Sequence, residues 1–363
     1  MSRRLYLSLA LAILLMAAYM RLAELRRFPP ALHYDEAADM LLGRDIAFYG
    51  YQPFPVVEAY SGREALFYYL AVPLLRLFGT DVFATRLTSA FLGILTVAAT
   101  LALGRAMFKG HRRGALIALC GGAWLAFNGA QVWLTRQGFR TSPQPLLEAL
   151  ALWCLFSALR RQRGWALWAA LSGFFGGAAL YTYMAARIFP LWLPLPLIGL
   201  LLIDPQRALR LRQIALCFGV MAIVALPLAR FYLNKPDVFL DRLTQVARSD
   251  SESLSLLQSA WLHARMFFLR GDPLLRYNLA PERPWFDPIS GGLMLIGFGA
   301  ALLLLLRRGE PPLSRLAALM VLLCPLLIAP SVVAVSGLPP SHMRSVAMVP
   351  LIFFAPALGV AAL

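Results

Sequence analysis

The chain has 363 residues, of which 60% are hydrophobic and only 14% are charged. Soluble domains are about 45–50% apolar and about 25% charged, so this composition excludes a soluble enzyme, a disordered chain and a disulfide scaffold. The net charge of +16 would suit a nucleic-acid partner, but the basic clusters alternate with apolar runs about one bilayer long. We therefore predict a multi-span membrane protein that binds no nucleic acid.

The predicted elements are apolar helices. A helix that crosses a bilayer needs about 20 mostly apolar residues. The apolar stretch 65–78 is shorter, carries Arg76, and is predicted to be interfacial or re-entrant. The chain ends at Leu363 inside an apolar run, so a missing C-terminal part stays open. The sequence predicts one all-α membrane domain over 1–363 with about ten spans, at 5–22, 84–108, 114–134, 146–159, 165–183, 188–203, 214–231, 289–306, 316–335 and 346–363.

The distribution of charge predicts the orientation. Loops around 3–4, 105–113, 160–163, 207–212 and 307–315 hold fifteen basic residues and only two acidic ones. The positive-inside rule places these loops, and the N-terminus, in the cytoplasm. The long loops 23–64 and 232–288, each with short interfacial helices, then lie outside. We expect a protein of the cytoplasmic (inner) membrane that works on its outer face, because its polar sequence is concentrated there.

The first outer loop carries an acidic motif. The stretch 36–49 can form a short amphipathic helix with Asp35 at or near its N-cap. Acidic residues cap helices, and a partly desolvated carboxylate can also accept a proton from a hydroxyl, so both roles are open for Asp35. Glu36 could support it, contact an ion or cap the helix. A firm metal site needs three or more oxygen ligands, so a divalent metal ion remains an open cofactor.

The motif resembles one in a known class of enzymes. Tyr34-Asp35-Glu36-Ala37 is similar to the Asp-Glu motif of the GT-C class membrane glycosyltransferases, most of all to their protein-mannosyltransferase and aminoarabinose-transferase branch (glycosyltransferase family 39-like). Gly62-Arg63-Glu64-Ala65 resembles the family's Gly-basic-x-Pro element, with Ala65 in place of the proline. The segment 85–93 resembles the opening of the second span, with Thr88 in place of another proline. The resemblance implies a GT-C fold, with Asp35 as the catalytic base and Glu36 beside it.

Outward-facing basic residues form a second pattern. Each arginine alone is explained by snorkelling to lipid headgroups. As a group they suit the phosphate of a lipid-linked donor, because the planar guanidinium fork binds phosphate and neutralises a leaving group. Tyr181, Tyr183 and Arg187 also resemble the family's Tyr-x-Tyr-x3-Arg-x2-Pro pattern. The candidate phosphate ligands are Arg63, Arg136, Arg140, Arg187, His342 and Arg344.

The second outer loop contains a further motif. The stretch from Gly271 to Asn278 resembles a Gly-Asp-x3-Arg-x-Asn element of bacterial relatives, where this loop covers the outer cavity. An Asp272–Arg276 ion pair that simply staples the loop is the alternative. The candidate substrate-pocket residues are Glu64, Tyr181, Tyr183, Asp272, Arg276 and Asn278.

The resemblance implies an inverting glycosyltransferase with a polyprenyl-phosphate-linked sugar as donor. The sugar would pass to a hydroxyl of an acceptor protein or glycolipid at the outer face. The sequence contains no glycine-rich phosphate loop, which agrees with a lipid-borne donor. Two alternatives stay open: a lipid or solute transporter whose charged residues line a path, and a non-catalytic membrane subunit that binds a protein partner.

Overall fold

The computed structural model describes residues 1–59, 62–240, 254–307, 309–334 and 338–363. Residues 241–253 of the predicted outer loop 232–288 lie outside the described part, as does the last residue of the predicted span 316–335. The described α-helices include α1 (Arg3–Leu22), α2 (Tyr34–Phe48), α3 (Leu66–Phe78), α4 (Val82–Met107), α5 (Gly114–Phe127), α6 (Gly129–Arg136), α7 (Pro143–Leu159), α8 (Trp165–Ala179), α9 (Phe189–Trp192), α10 (Pro194–Ile203), α11 (Arg207–Asn234), α12 (Leu256–Arg265), α13 (Pro288–Leu306), α14 (Pro312–Leu323), α15 (Ala329–Val333) and α16 (Phe354–Ala362).

Short turns of 3₁₀ helix join several of these helices. A small antiparallel hairpin, β1 (Val56–Val57) and β2 (Arg63–Glu64), lies between α2 and α3. The 3₁₀ helices are Met184–Ile188, Cys324–Ile328, Met343–Met348 and Leu351–Phe353.

The all-α membrane fold is confirmed, but the expected count of about ten spans is not. Among the described residues, six stretches are long and apolar enough to cross a bilayer: Arg3–Leu22, Val82–Met107, Met184–Ile203, Arg207–Asn234, Pro288–Leu306 and Pro312–Val333. The bent pair α5–α6 makes a seventh if it counts as one span. Helices α7 and α8 have 17 and 15 residues, and at about 1.5 Å per residue they are shorter than a hydrocarbon core of about 30 Å.

Helix α4 lies at the centre of the N-terminal half, where it packs against α1, α3, α5 and α7. The outermost helices, α1 and α11, expose leucine and isoleucine side chains such as Leu15 and Ile223, as lipid-facing helices do. Glycines allow α8 and α11 to approach closely. A methyl group on Gly173 would lie 2.2 Å from the Cys217 carbonyl oxygen, which is the small-residue packing typical of membrane helices.

The predicted span 114–134 is broken by a bend of 56° between α5 and α6. Asn128 ends α5 and caps α6, because its side chain accepts the Gln131 backbone N–H. The buried Arg21 guanidinium donates to the Leu125 and Ala126 carbonyl oxygens at 3.2 and 3.1 Å, so the last turn of α5 keeps its hydrogen bonds. The bend therefore has its own polar partners, and it directs α6 toward the acidic helix α2.

Candidate active site

Helix α2 presents two carboxylates one turn apart. The helix begins at Tyr34, and His33 rather than Asp35 is its N-cap, with the His33 Nδ1 atom accepting the Asp35 backbone N–H. Asp35 is therefore near the N-cap, as predicted, but two residues after it. The Asp35 side chain is 27% exposed, whereas Asp39, four residues later on the same face, is buried. Asp35 is thus the carboxylate that an incoming molecule can reach.

The β-hairpin brings charges of opposite sign to this face of α2. Arg63 and Glu64 are adjacent on β2, so their side chains point in opposite directions. The Arg63 guanidinium donates to Asp39 Oδ1 at 2.8 Å and to Asp35 Oδ1 at 3.3 Å. Glu64 points away and accepts from Arg187 Nη2 at 2.9 Å. One hairpin therefore connects the acidic helix with the predicted phosphate-binding arginine.

Asp35, Asp39, Arg63 and Glu64 form a charged cluster, in which Asp39 is buried. Its carboxylate also accepts from the Tyr68 hydroxyl at 3.0 Å and from the Arg140 backbone N–H at 3.3 Å. Burial raises the pKa of Asp39, and the guanidinium groups of Arg140 and Arg63 oppose that shift. With four donors or cations around it, Asp39 holds Arg63 in place and is not open to a substrate.

Glu36, predicted to be catalytic, is placed elsewhere by the structure. Its carboxylate is fully buried and makes a bidentate pair with Arg86, with Nε–Oε1 at 2.7 Å and Nη2–Oε2 at 2.9 Å. It also accepts the Gly138 backbone N–H at 3.0 Å. These contacts join α2 to α4 and to the loop after α6. Because both oxygens are used and no solvent reaches them, a catalytic role for Glu36 does not fit this geometry.

Two of the predicted phosphate ligands lie beside the cluster. Arg140 is buried, with Nη1 3.8 Å from Asp39 Oδ1 and its guanidinium 5.4 Å from the Tyr183 ring centroid. The Arg187 guanidinium lies over the Tyr232 ring at 4.9 Å, and its Nη1 is buried without a hydrogen-bond partner among the described residues. Arg187 therefore keeps a free donor to offer to an anion.

Two other predicted phosphate ligands have structural partners instead. Arg136 donates to the carbonyl oxygens of Met20, Ala23 and Phe28 at 2.7–3.1 Å, where it caps the C-terminal end of α1. His342 is fully buried, and burial lowers its pKa to about 3. A neutral imidazole offers no positive charge to a phosphate. Neither residue fits the phosphate role predicted for it.

Asp272 and Asn278, predicted as pocket residues, hold the second outer loop together. Asp272 accepts the backbone N–H groups of Leu274 and His342 at 2.9 and 2.8 Å. Burial raises the pKa of Asp272 to about 6. The Asn278 amide donates to the Asp272 and Arg283 carbonyl oxygens. The expected Asp272–Arg276 pair is not among the described ion pairs, because the Asp272 oxygens are taken by backbone donors.

Arg276 reaches the N-terminal end of the acidic helix α2, and Arg344 lines a pocket together with Arg276. Arg276 Nη1 lies 3.0 Å from His33 Nε2. Arg344 Nη1 donates to the Ala334 carbonyl oxygen at 2.7 Å. The two arginines line one small pocket together with Tyr277. Arg276 thus brings the second outer loop to the N-terminal end of α2.

Tyr181 does not point into the charged cluster. Its ring stacks on Phe54 at 5.6 Å, and its hydroxyl donates to the Val224 carbonyl oxygen. It lines an open groove of about 470 Å³ with almost wholly apolar walls, which include Leu66 and Pro227. Two of its wall residues, Ala65 and Leu66, directly follow Glu64, the partner of Arg187, in the sequence. Tyr181 therefore belongs to a surface suited to a hydrocarbon chain rather than to a sugar.

Sequence reasoning missed two residues of this site. Asp39 had a signal, since its spacing of four from Asp35 places both on one helical face. The sequence placed Arg86 only within the motif at 85–93 and gave no partner for it. Its pairing with Glu36 depends on how α4 packs against α2. Within the described ranges, no three His, Cys, Asp or Glu side chains are grouped as metal ligands, and a metal requirement stays untested.

Comparisons with known proteins concern the overall fold of the chain. A model of the dolichyl-phosphate-mannose-protein mannosyltransferase family matches residues 65–231. The chain superposes on ArnT from Cupriavidus metallidurans bound to undecaprenyl phosphate with a TM-score of 0.65 and 16% identity, over 99% of this chain and 60% of that one. It superposes on the Archaeoglobus fulgidus oligosaccharyltransferase in its apo form with a TM-score of 0.66 and 12% identity, over 99% and 51%.

A third structure, the archaeal oligosaccharyltransferase AglB from Archaeoglobus fulgidus with an inhibitory peptide and a dolichol-phosphate, gives a TM-score of 0.62 at 12% identity, over 98% of this chain and 50% of that one. The chain therefore spans between half and three-fifths of the length of these proteins. A comparison with proteins of curated function finds no match. The fold is that of these membrane transferases, which confirms the GT-C fold that the motifs predict.

Proposed function

We propose that this chain is a glycosyltransferase that moves a sugar from a polyprenyl phosphate to a hydroxyl of an acceptor protein or glycolipid. The proposal depends on one observation, which is that the acidic side chains of the site differ in their exposure to solvent. Asp35 is open to solvent, whereas Glu36, Asp39 and Glu64 are buried and paired. An open carboxylate held by Arg63 on a rigid helix has the position that a general base needs.

The proposed reaction is a single displacement. Asp35 takes the proton of the acceptor hydroxyl as its oxygen forms a bond to the anomeric carbon. The bond from that carbon to the phosphate oxygen breaks, and the polyprenyl phosphate leaves with the electron pair. Arginine side chains near Asp35 stabilise the charge that develops on the leaving phosphate. These arginines are Arg63, Arg140 and Arg187, whereas Arg276 lies on the His33 side of Asp35. Together the four outnumber the three acids Asp35, Asp39 and Glu64, so the site as a whole favours an added anion.

The lipid end of the donor has a matching surface. The apolar groove beside Tyr181 and Leu66 suits an isoprenoid chain that enters from the bilayer. Arg187 pairs with Glu64, which directly precedes Ala65 and Leu66 of the groove wall, and its unpartnered Nη1 can donate to the phosphate that the chain carries. The groove and the arginine together support a lipid-linked phosphate as donor.

Arg187→Ala is expected to weaken binding of a polyprenyl-phosphate hexose about tenfold or more, because a charge-assisted donor to the phosphate is lost. Arg113→Ala is the matched control. Arg113 is an exposed arginine that donates to the Ala361 carbonyl oxygen, at the end predicted to be cytoplasmic. Equilibrium binding of the lipid to the purified variants measures the difference, and equal losses in both variants would refute this placement of the phosphate.

We also propose that the site faces the outside of the cytoplasmic membrane and that the N-terminus is cytoplasmic. Gln258 is exposed near the start of α12, so a Gln258→Cys variant is expected to react with a membrane-impermeant maleimide on intact cells. Arg163→Cys, in an exposed loop predicted to be cytoplasmic, should react only after permeabilisation. The reverse pattern would invert the orientation and place Asp35 inside.

A further inference from the structure

The two described hydrogen-bond contacts of the His33 ring conflict with each other. A neutral imidazole has one acceptor nitrogen and one N–H. In the structure its Nδ1 faces the Asp35 backbone N–H at 3.1 Å, and its Nε2 faces Arg276 Nη1 at 3.0 Å. Both partners are donors, so no protonation state of His33 satisfies both. If Nδ1 accepts from Asp35, Nε2 carries a hydrogen that points at another N–H.

An inserted acceptor atom resolves this conflict. An oxygen to one side of this contact, about 3 Å from both His33 Nε2 and Arg276 Nη1, would accept from both, and Nδ1 would keep its bond to the backbone of α2. Arg276 has a further donor to offer, because its Nε is buried without a partner among the described residues. Arg276 also lines a small pocket with Arg344, which adds a second guanidinium, although His33 is not one of its lining residues. The Asp272 carboxylate interacts with both arginines, but its oxygens already accept from backbone N–H groups. An anion that carries several oxygens would suit these two guanidinium groups better than a neutral ligand.

The contacts of Asp35 indicate which of the two substrates, donor or acceptor, lies near Arg276. Asp35 Oδ1 faces Arg63, which is adjacent on β2 to Glu64, the partner of Arg187. Asp35 Oδ2 faces His33 Nδ1 at 3.7 Å, and His33 leads to Arg276. In a single displacement the nucleophile and the leaving group approach the reacting carbon from opposite sides. The His33 side is therefore the side from which the acceptor comes.

We propose that His33, Arg276 and Arg344 form an oxyanion site that binds a phosphate group of the acceptor. The acceptor would then be a phosphorylated molecule whose reacting hydroxyl lies next to Asp35 while its phosphate is held by the two arginines. Its assignment to the acceptor rests on the proposed function. The oxyanion site itself rests only on the donor–donor contact and on the two arginines.

The test is binding of inorganic phosphate to the full chain in detergent, with the donor site first saturated with undecaprenyl phosphate. Wild type is expected to bind inorganic phosphate at a remaining site. Arg276→Gln should weaken that binding about tenfold or more. His33→Asn should do the same, because asparagine still caps α2 but lacks the distal N–H. Arg283→Gln, an exposed arginine in the same loop, is the control and should bind as wild type does.

Each outcome decides a separate question. If undecaprenyl phosphate displaces all inorganic phosphate, or if Arg276→Gln loses the lipid as well, the phosphate belongs to the donor and the acceptor site is refuted. Phosphate binding by Arg276→Gln equal to that of wild type also overturns the site. Retained undecaprenyl phosphate binding shows that a variant is folded. If wild type binds no undecaprenyl phosphate, the proposed donor fails, while loss of phosphate in Arg276→Gln would still support the oxyanion site.

Discussion

Asp35→Asn is expected to lower transfer about 10²–10⁴-fold, the range usually contributed by a general base. Asparagine has nearly the same shape and can still accept from Arg63, which donates to Asp35 Oδ1 at 3.3 Å. It cannot accept the proton of an acceptor hydroxyl. The fold and the affinity for the lipid donor should therefore remain close to those of wild type.

The measurement for this variant is sugar transfer in membranes supplied with a polyprenyl-phosphate hexose and a cell envelope extract as acceptor. Asp45→Asn is the matched control, because Asp45 lies on the same helix and pairs only with the half-exposed Arg44 among the described ion pairs. Its activity should stay within about twofold of wild type, as for most exposed pairs. Full activity in Asp35→Asn would remove Asp35 from the reaction.

Glu36→Gln is expected to reduce stability strongly while the folded fraction keeps its activity. The change leaves the buried Arg86 guanidinium without a counter-ion, and breaking a buried pair in this way costs about 3–5 kcal/mol. Thermal unfolding in detergent, together with transfer normalised to folded protein, separates the two effects. Glu58→Gln is the control, because the Glu58–Lys235 pair is exposed and such pairs contribute about 0–1 kcal/mol.

The result also decides the role of Glu36. A Glu36→Gln variant that unfolds at the wild-type temperature but no longer transfers sugar would restore the catalytic role expected from the motif. The neighbouring acids Asp35 and Glu36 point in different directions on α2, which explains how one motif can hold a residue for chemistry and another for structure.

Much of the fold could be predicted from hydrophobicity and charge. Each of the ten predicted apolar segments contains helix in the described part of the chain. The break in 114–134 could not be predicted, because the Leu125 and Ala126 carbonyl oxygens are satisfied by Arg21, which is more than a hundred residues away. A hydropathy pattern reports length and apolarity but carries no information about such long-range partners.

The parts of the site that lie within a single helix or strand could be predicted from the sequence. The spacing of Asp35 and Asp39 follows from one helix, and the adjacency of Arg63 and Glu64 follows from one strand. The roles of the arginines depend on tertiary contacts instead. Arg136 and Arg187 both lie near predicted outer ends of spans, yet one caps α1 through three carbonyl oxygens and the other keeps an unpartnered donor. Sequence position alone does not distinguish these environments.

The alternatives open at the level of sequence make different predictions. A non-catalytic subunit would tolerate Asp35→Asn without loss of function, because no proton is transferred there. A transporter would move the lipid across the membrane without releasing sugar. Asp35→Asn would then change the rates of transport in the two directions equally. Transfer that depends on Asp35 and donor binding that depends on Arg187 together favour the glycosyltransferase.

The central claim is that the chain binds a polyprenyl-phosphate-linked sugar beside Asp35. Native mass spectrometry of the purified protein with a polyprenyl-phosphate hexose tests it most directly, with the corresponding unphosphorylated polyprenol as the comparison ligand. The account predicts a bound phosphate-linked donor on wild type and on Asp35→Asn, a weakened complex on Arg187→Ala, and little binding of the unphosphorylated lipid. Equal binding of both lipids, or no binding of the donor by any of these proteins, would contradict it.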